Sequence, residues 1–361
     1  MLTADFDYSL PKDLIAQHPT TARSASRLLV LDRASRSTTP TVFARLPDFL
    51  RPGDLLVLNN SRVIPARLRA SKIDGGGQVE MLLLEPGDPG TWWVLLRPGK
   101  RVRPGTRLQL KPNPDSRLGD PSANVIATVH GKNADGHCLI GFPPDIDVLA
   151  FAETHGEMPL PPYISRSTPD ITDRERYQTV YASTPGSAAA PTAGLHFDRE
   201  FLGALRASGI HTCEVTLHVG VGTFAPVKTE QLEDHAMHTE RFFVPEDTVD
   251  LVHQARDQGR RVIAIGTTSL RVIESVARQN NGRLVAGAGR TQIFLHPPSR
   301  FHVTDALLTN FHLPRSTLLM LVSAFAAPGE THGRELVMDA YRLATELGFR
   351  FFSYGDAMLL V

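Results

Sequence analysis

Between Ile64 and Ile140 the chain changes rhythm, and that change constrains the fold more than any other feature of its 361 residues. Short strand-like runs, Val79–Leu84, Trp92–Leu96, Arg107–Lys111 and Asn124–Val129, are separated by Gly75-Gly76-Gly77, Arg97-Pro98-Gly99-Lys100 and Arg103-Pro104-Gly105. No convincing helical pattern lies between them, and many short strands at this spacing predict a small barrel. On either side the rhythm differs. Leu10–Ile15 reads as a helical turn, Arg27–Asp32 as a strand, Ala34–Thr41 as a loop or hairpin connection, and Leu55–Leu58 as a buried strand after the Arg51–Asp54 turn. After Ala150, strands (Cys213–His218, Arg261–Ile265, Phe349–Phe352) alternate with helices (Arg199–Gly209, Thr248–Gly259, Gly266 to about Asn280, Arg334–Leu347). Repeated strand, tight turn and helix units build parallel sheets. The expectation is an α/β fold: a mostly parallel-sheet domain interrupted by a small β-barrel domain. Residues 1–63 form its first part, 64–149 the barrel, and 150–361 the second part, which carries most of the site.

Charge and cysteine usage narrow the function classes. Lysine plus arginine and aspartate plus glutamate each number 38, which excludes a histone-like basic coat but permits a local basic groove for RNA. Lys100, Arg101, Arg103 and Arg107 are the densest basic cluster, either solvated hairpin tips or contacts for an RNA backbone. Cys138 and Cys213 form no CxxC pair, so neither a disulfide framework nor a cysteine zinc site is expected. His235, His238 and Glu240 lack the HExxH spacing, and no metal is expected. MLTADFDYSLP lacks the basic and apolar regions of a signal peptide, and Thr317–Ala327 is too short to span a bilayer. These features predict a cytoplasmic protein without a membrane partner, monomeric by default.

Five polar clusters are candidates for chemistry. Ala188–Phe197 joins small residues and Gly194 to His196, whose plain alternative is a packed histidine at a helix entry. Leu217–Phe224 places His218 and two glycines after a strand, where ligands of α/β sheets commonly bind. Gly266-Thr267-Thr268-Ser269-Leu270-Arg271 opens a helix and offers amides and hydroxyls to an anion, without the frame of a nucleoside triphosphate loop. Glu274, three residues on, is spaced to pair with Arg271 along that helix. Thr309–Thr317 carries Asn310 and Ser316 for polar edges and Phe311 for stacking, with a helix cap at Ser316 or Thr317 as the structural alternative. Leu160–Ile164 leads to Asp173–Tyr181, where tyrosines and arginines suit a base and phosphates, or ordinary packing.

Taken in order with Ser26–Asp32, Arg51–Leu68 and Arg350–Met358, these clusters resemble the S-adenosylmethionine:tRNA ribosyltransferase-isomerase family of queuosine biosynthesis, over nearly the whole chain. The resemblance implies an enzyme that transfers and isomerises the ribosyl portion of S-adenosylmethionine onto 7-aminomethyl-7-deazaguanine at the tRNA wobble position. The product is epoxyqueuosine-tRNA, with adenine and methionine released. It implies S-adenosylmethionine as co-substrate, no prosthetic group and an α/β domain interrupted by a small barrel.

With that chemistry in view, His196, His218 and His312 are the expected proton-exchanging residues. Tyr163, Thr192, Gly194, Gly220, Gly266, Thr267, Thr268 and Arg271 are expected around the donor. Arg62, Tyr177, Tyr181, Phe224, Asn310, Phe311, Ser316 and Tyr354 are expected on the RNA side. Two competing readings are an S-adenosylmethionine-dependent tRNA methyltransferase, which would leave S-adenosylhomocysteine, and a noncatalytic tRNA-binding module, which would bind RNA without consuming the donor.

Overall fold

The computed structural model describes residues 1–100, 102–111, 125–166, 170, 172–220 and 227–361. They fall into two compact units, one of residues 1–61, 178–184 and 190–361, the other of residues 62–177 and 185–189.

The larger unit is built on a nine-stranded sheet. Its order is Gly287–Thr291, Glu240–Val244, His211–Leu217, Leu55–Asn59, Val262–Ile265, Ala306–Asn310, Ala357–Leu360, Arg27–Asp32 and Ser37–Val42. The four strands from His211–Leu217 to Ala306–Asn310 are mutually parallel. Antiparallel pairs flank them at Glu240–Val244 and Ala357–Leu360. Helices on both faces explain why the central strands are apolar without a break: successive residues of Leu55–Leu58 enter opposite cores. Leu55 and Val57 pack with Val252, Ala255, Val272 and Ile273 of helices Glu246–Asp257 and Thr267–Gln279. Leu56 and Leu58 pack with Phe43, Phe197, Leu202 and Leu205 on the other side.

Two local expectations are corrected. Ser37–Val42 is not a plain connection but an edge strand, pairing antiparallel with Arg27–Asp32. Its polar sequence faces water and has little apolar alternation to reveal it. Phe349–Phe352 is not a strand. Phe351 makes a single bridge to Ile15, and Phe352 turns into the left-handed region at φ 71°, which ends any extended run. The apolar stretch near residue 320 forms the buried helix Thr317–Ala326. Among the described residues, no helix is long and apolar enough to cross a membrane.

The smaller unit is a closed antiparallel barrel in the order Cys138–Gly141, Thr91–Arg97, Gln78–Pro86, Arg67–Lys72, Arg107–Lys111, Ile126–Lys132. Inward residues alternate along each strand, as in Leu68/Ala70, Val79/Met81/Leu83 and Trp92/Val94/Leu96. Helix Val148–His155, capped by Asp147 through the amides of Leu149 and Ala150, adds Val148, Phe151 and Ala152 to the barrel core. The described residues between 150 and 177 belong to this unit.

Candidate active site

Parallel strands deliver their carboxyl ends to one edge of a sheet. Here that edge receives Asn59, Leu217, Ile265 and Asn310 as strand-terminal residues. The antiparallel pairing of Asn310 with Ala357 brings the start of Ala357–Leu360 to the same edge, and the pairing of Leu28 with Ala357 brings Ser26 there too. Side chains far apart in sequence meet on this rim.

His196 ends the short 3-10 turn Thr192–His196 and is buried. Its ring stacks on Phe43 with centroids 5.1 Å apart, and Nδ1 lies 2.7 Å from the Ser26 hydroxyl. Nε2 is buried without a hydrogen-bond partner, as is Oδ1 of Asn310. Burial pushes the imidazole down to about 4, against the opposing pull of the Asp356 carboxylate and the Asn310 side chain. At neutral pH the ring is uncharged and one nitrogen keeps a lone pair. Asn310 is oriented by its Nδ2, which donates to the Phe352 carbonyl at 3.0 Å.

His218 follows strand His211–Leu217. Its Nδ1 is 3.1 Å from the Ser61 hydroxyl, and burial, with Arg241 nearby, pushes it down to about 4. Asn59 ties these strand ends together, donating to the Leu217 carbonyl at 3.1 Å and accepting from the amides of Leu217 and Ser61. His312 is pushed down to about 3 by burial, and its Nε2 lies 2.8 Å from the Thr309 hydroxyl.

Gly266 joins strand Val262–Ile265 to helix Thr267–Gln279 at φ 89°, a conformation that favours glycine, and a Cβ there would approach that of Ala193 to 3.6 Å. The turn thus brings the Thr192–His196 segment beside the helix start. Thr267 and Thr268 are buried, and Thr268 Oγ1 makes no hydrogen bond. Arg271 does not pair with Glu274. It pairs with Glu240, Nη1 to Oε2 at 2.5 Å, and both side chains are almost wholly buried. Glu274 instead accepts the amides of His302, Val303 and Thr304, which explains why it is unavailable to its helix neighbour. Glu240 is likewise committed, to Arg271 and to the amide of Gly220 at 3.1 Å. Among the described residues, no group of three or more His, Cys, Asp or Glu side chains is placed to hold a metal.

Several expected contacts are differently employed. Phe311 is fully buried among Tyr341, Phe349 and Phe351, and its ring packs in that core. Ser316 caps helix Thr317–Ala326, accepting from the Leu319 amide and donating to the Leu313 carbonyl. Tyr177 is fully buried within the smaller unit and presents no exposed face. Tyr354 is buried. Tyr181 packs so closely over Gly194 that a Cβ there would collide with its phenol oxygen, which is the reason for glycine at 194. In the smaller unit, Tyr163 is partly exposed, and Arg62 forms a half-exposed ion pair with Glu153 at 3.1 Å. Phe224 and Arg101 lie outside the described residues.

Sequence reasoning missed Ser26 and Asn59 and gave Glu240 no positioning role. Each acts through partners that are remote in sequence, and no local spacing marks them.

The family described as queuosine biosynthesis protein matches residues 3–360. The chain is 46% identical over 361 residues to the S-adenosylmethionine:tRNA ribosyltransferase-isomerase of Thermotoga maritima, covering 100% of both chains. It is 46% identical to the protein of the same name from Trichlorobacter lovleyi, again over 100% of both. A solved structure, the S-adenosylmethionine tRNA ribosyltransferase from Thermotoga maritima, is similar with a TM-score of 0.55 and 37% identity, covering 99% of this chain and 100% of that one.

Proposed function

The chain belongs to the queuosine biosynthesis protein family, and from that premise we propose that it transfers and isomerises the ribosyl moiety of S-adenosylmethionine onto 7-aminomethyl-7-deazaguanine at the tRNA wobble position. The product is epoxyqueuosine-tRNA, with adenine and methionine released. The observation that carries this reading is end-to-end similarity, at 46% identity, to enzymes named for that ribosyl transfer. A tRNA substrate and two buried free thiols, Cys138 and Cys213, suit a cytoplasmic setting.

The sulfonium of the donor acidifies its C5′ position and makes methionine a leaving group. A base removes a C5′ proton and the ribose ring opens with loss of adenine. Ring opening leaves an aldehyde at C1′ and a C4′=C5′ vinyl sulfonium. The aminomethyl nitrogen adds to C4′ and gives up a proton, and the resulting C5′ ylide bonds to C1′. The C1′ alkoxide then displaces methionine from C5′ to close the epoxide. Such a sequence needs positioned proton transfer in a water-poor site.

His196 is the residue best suited to exchange that proton. The Ser26 hydroxyl engages Nδ1 of His196 at 2.7 Å, and in the tautomer that donates Nδ1–H to it the lone pair sits on Nε2. His218 and Gly220 follow the strand that ends on the same sheet edge, and the first-turn amides of helix Thr267–Gln279, with Arg271, suit the methionyl end of the donor. Asn310 suits a hydroxyl of the ribose or the amine of the base, because its unpartnered Oδ1 is an acceptor.

The test incubates the protein with tRNA bearing the aminomethyl-deazaguanine base and ribose-labelled S-adenosylmethionine. Mass analysis is expected to find the label in tRNA as an added epoxycyclopentanediol unit, with free adenine and methionine. Methylated tRNA and S-adenosylhomocysteine as the only products would overturn the reading.

A further inference from the structure

Among the described residues, Arg69, Arg166 and Arg261 each present one edge of the guanidinium, Nε with Nη2, to both oxygens of a carboxylate. Arg69 meets Glu157 at 2.6 and 3.1 Å, Arg166 meets Asp173 at 2.7 and 3.0 Å, and Arg261 meets Asp54 at 3.0 and 2.5 Å. Arg271 does not follow them. Its Nη1 is held by Glu240, while Nε and Nη2 are buried and make no hydrogen bond. An arginine stays charged, and buried donors left unpaired are costly, so the edge is built for an acceptor. Thr268 lies three residues earlier on the same helix face and adds a second buried, unpartnered group, its Oγ1.

Glu240 is fixed from two directions, by Arg271 on Oε2 and by the Gly220 amide on Oε1. It therefore sets the rotation of the guanidinium, and the free edge cannot turn away without breaking the buried pair. The geometry points to Glu240 as a positioning residue that holds the Nε/Nη2 edge of Arg271, with the Thr268 hydroxyl, to receive the α-carboxylate of the donor. This inference rests on the donor being S-adenosylmethionine. It adds the atoms that meet the donor, the residue that aims them, and a requirement for a carboxylate-bearing donor. The donor also brings an ammonium and a sulfonium, so a second carboxylate near Glu240 arrives with compensating positive charge.

The test measures binding of S-adenosylmethionine and of its decarboxylated counterpart by calorimetry, with unmodified tRNA present, for the native chain and for Glu240→Gln, Arg271→Lys and Thr268→Val variants. Thermal melting of each variant accompanies it. The native chain is expected to prefer the carboxylate-bearing donor roughly 10- to 150-fold, the range for hydrogen bonds to a charged group. Glu240→Gln and Arg271→Lys are expected to narrow that preference by weakening S-adenosylmethionine while leaving the decarboxylated donor nearly unchanged. A merely structural role would weaken both donors alike. Equal affinity of the native chain for the two donors, or an unaltered preference in Arg271→Lys, would overturn the assignment. Arg271→Lys keeps the charge and serves where Glu240→Gln melts early. Ribosyl transfer is read separately with modified tRNA: carboxylate-dependent binding without transfer upholds the assignment and overturns the reaction, and transfer without that dependence does the reverse.

Discussion

The Ser26 hydroxyl lies 2.7 Å from Nδ1 of His196, across 170 residues of sequence, and leaves Nε2 as the only ring nitrogen of that histidine without a partner. The contact engages Nδ1 and, with the stacking on Phe43, holds the ring in place.

If His196 exchanges the proton, His196→Gln should lower the single-turnover rate at saturating substrates by about 100-fold or more, the usual contribution of a general acid–base group. Ser26→Ala should lower it less, because the ring is still held by stacking. Near-normal single-turnover chemistry in His196→Gln would remove His196 from the role.

Stability should decline on mild acidification. Burial pushes His196 down to about 4 and His312 to about 3, from an ordinary value near 6.5. Below pH 6.5 the unfolded chain takes up protons that the folded chain refuses, so full stability holds above pH 6.5 and is lost progressively towards pH 4 and 3. The His196 contribution alone amounts to roughly 3 kcal/mol at the acid end. Urea midpoints measured from pH 8 to 4.5 should fall, and fall less for His312→Asn. A flat profile would sink this account.

Phe311→Ala should be a stability variant before it is a binding variant. The side chain fills a cluster with Tyr341, Phe349 and Phe351, and its truncation should cost about 3–5 kcal/mol. Denaturant unfolding decides the matter: unchanged stability with weakened RNA binding would restore the stacking role.

Glu274→Gln should also destabilise, by about 3 kcal/mol, since one carboxylate serves three consecutive backbone amides and the Thr304 hydroxyl. The amide would offer a donor where only acceptors fit. A melting temperature equal to that of the native chain would contradict this.

The fold was legible where hydrophobic period and turn chemistry agree. Arg261–Ile265 running into Gly266 announced a strand, a tight turn and a helix, and the structure places them at Val262–Ile265 and Thr267–Gln279. The barrel was legible from short strands between glycine and proline turns. Less legible was helix Val148–His155, whose place in the barrel core depends on partners more than 30 residues away, including Leu108 and Leu110. Phe349–Phe352 looked like a strand because its aromatics favour one, yet packing of Phe351 against Tyr341 and Phe311 and the reversal at Phe352 decide its path. In the candidate site, His196, His218, Gly266 and Asn310 drew notice because each sits at a strand end or a turn, and Arg271 because it lies just inside the helix that follows one.

The sequence by itself determined the alternation of elements, the small barrel, the family and the loops that carry polar groups, because those depend on neighbours within a few turns of chain. Tertiary structure alone decided which groups are spent and which are free. Glu274 is occupied by backbone amides and Phe311 by a core, whereas Nε2 of His196 and the outer edge of Arg271 keep unmet hydrogen-bonding capacity. That division follows from burial: a polar atom's worth depends on whether a partner arrives from another strand, and spacing along the chain cannot register such an arrival.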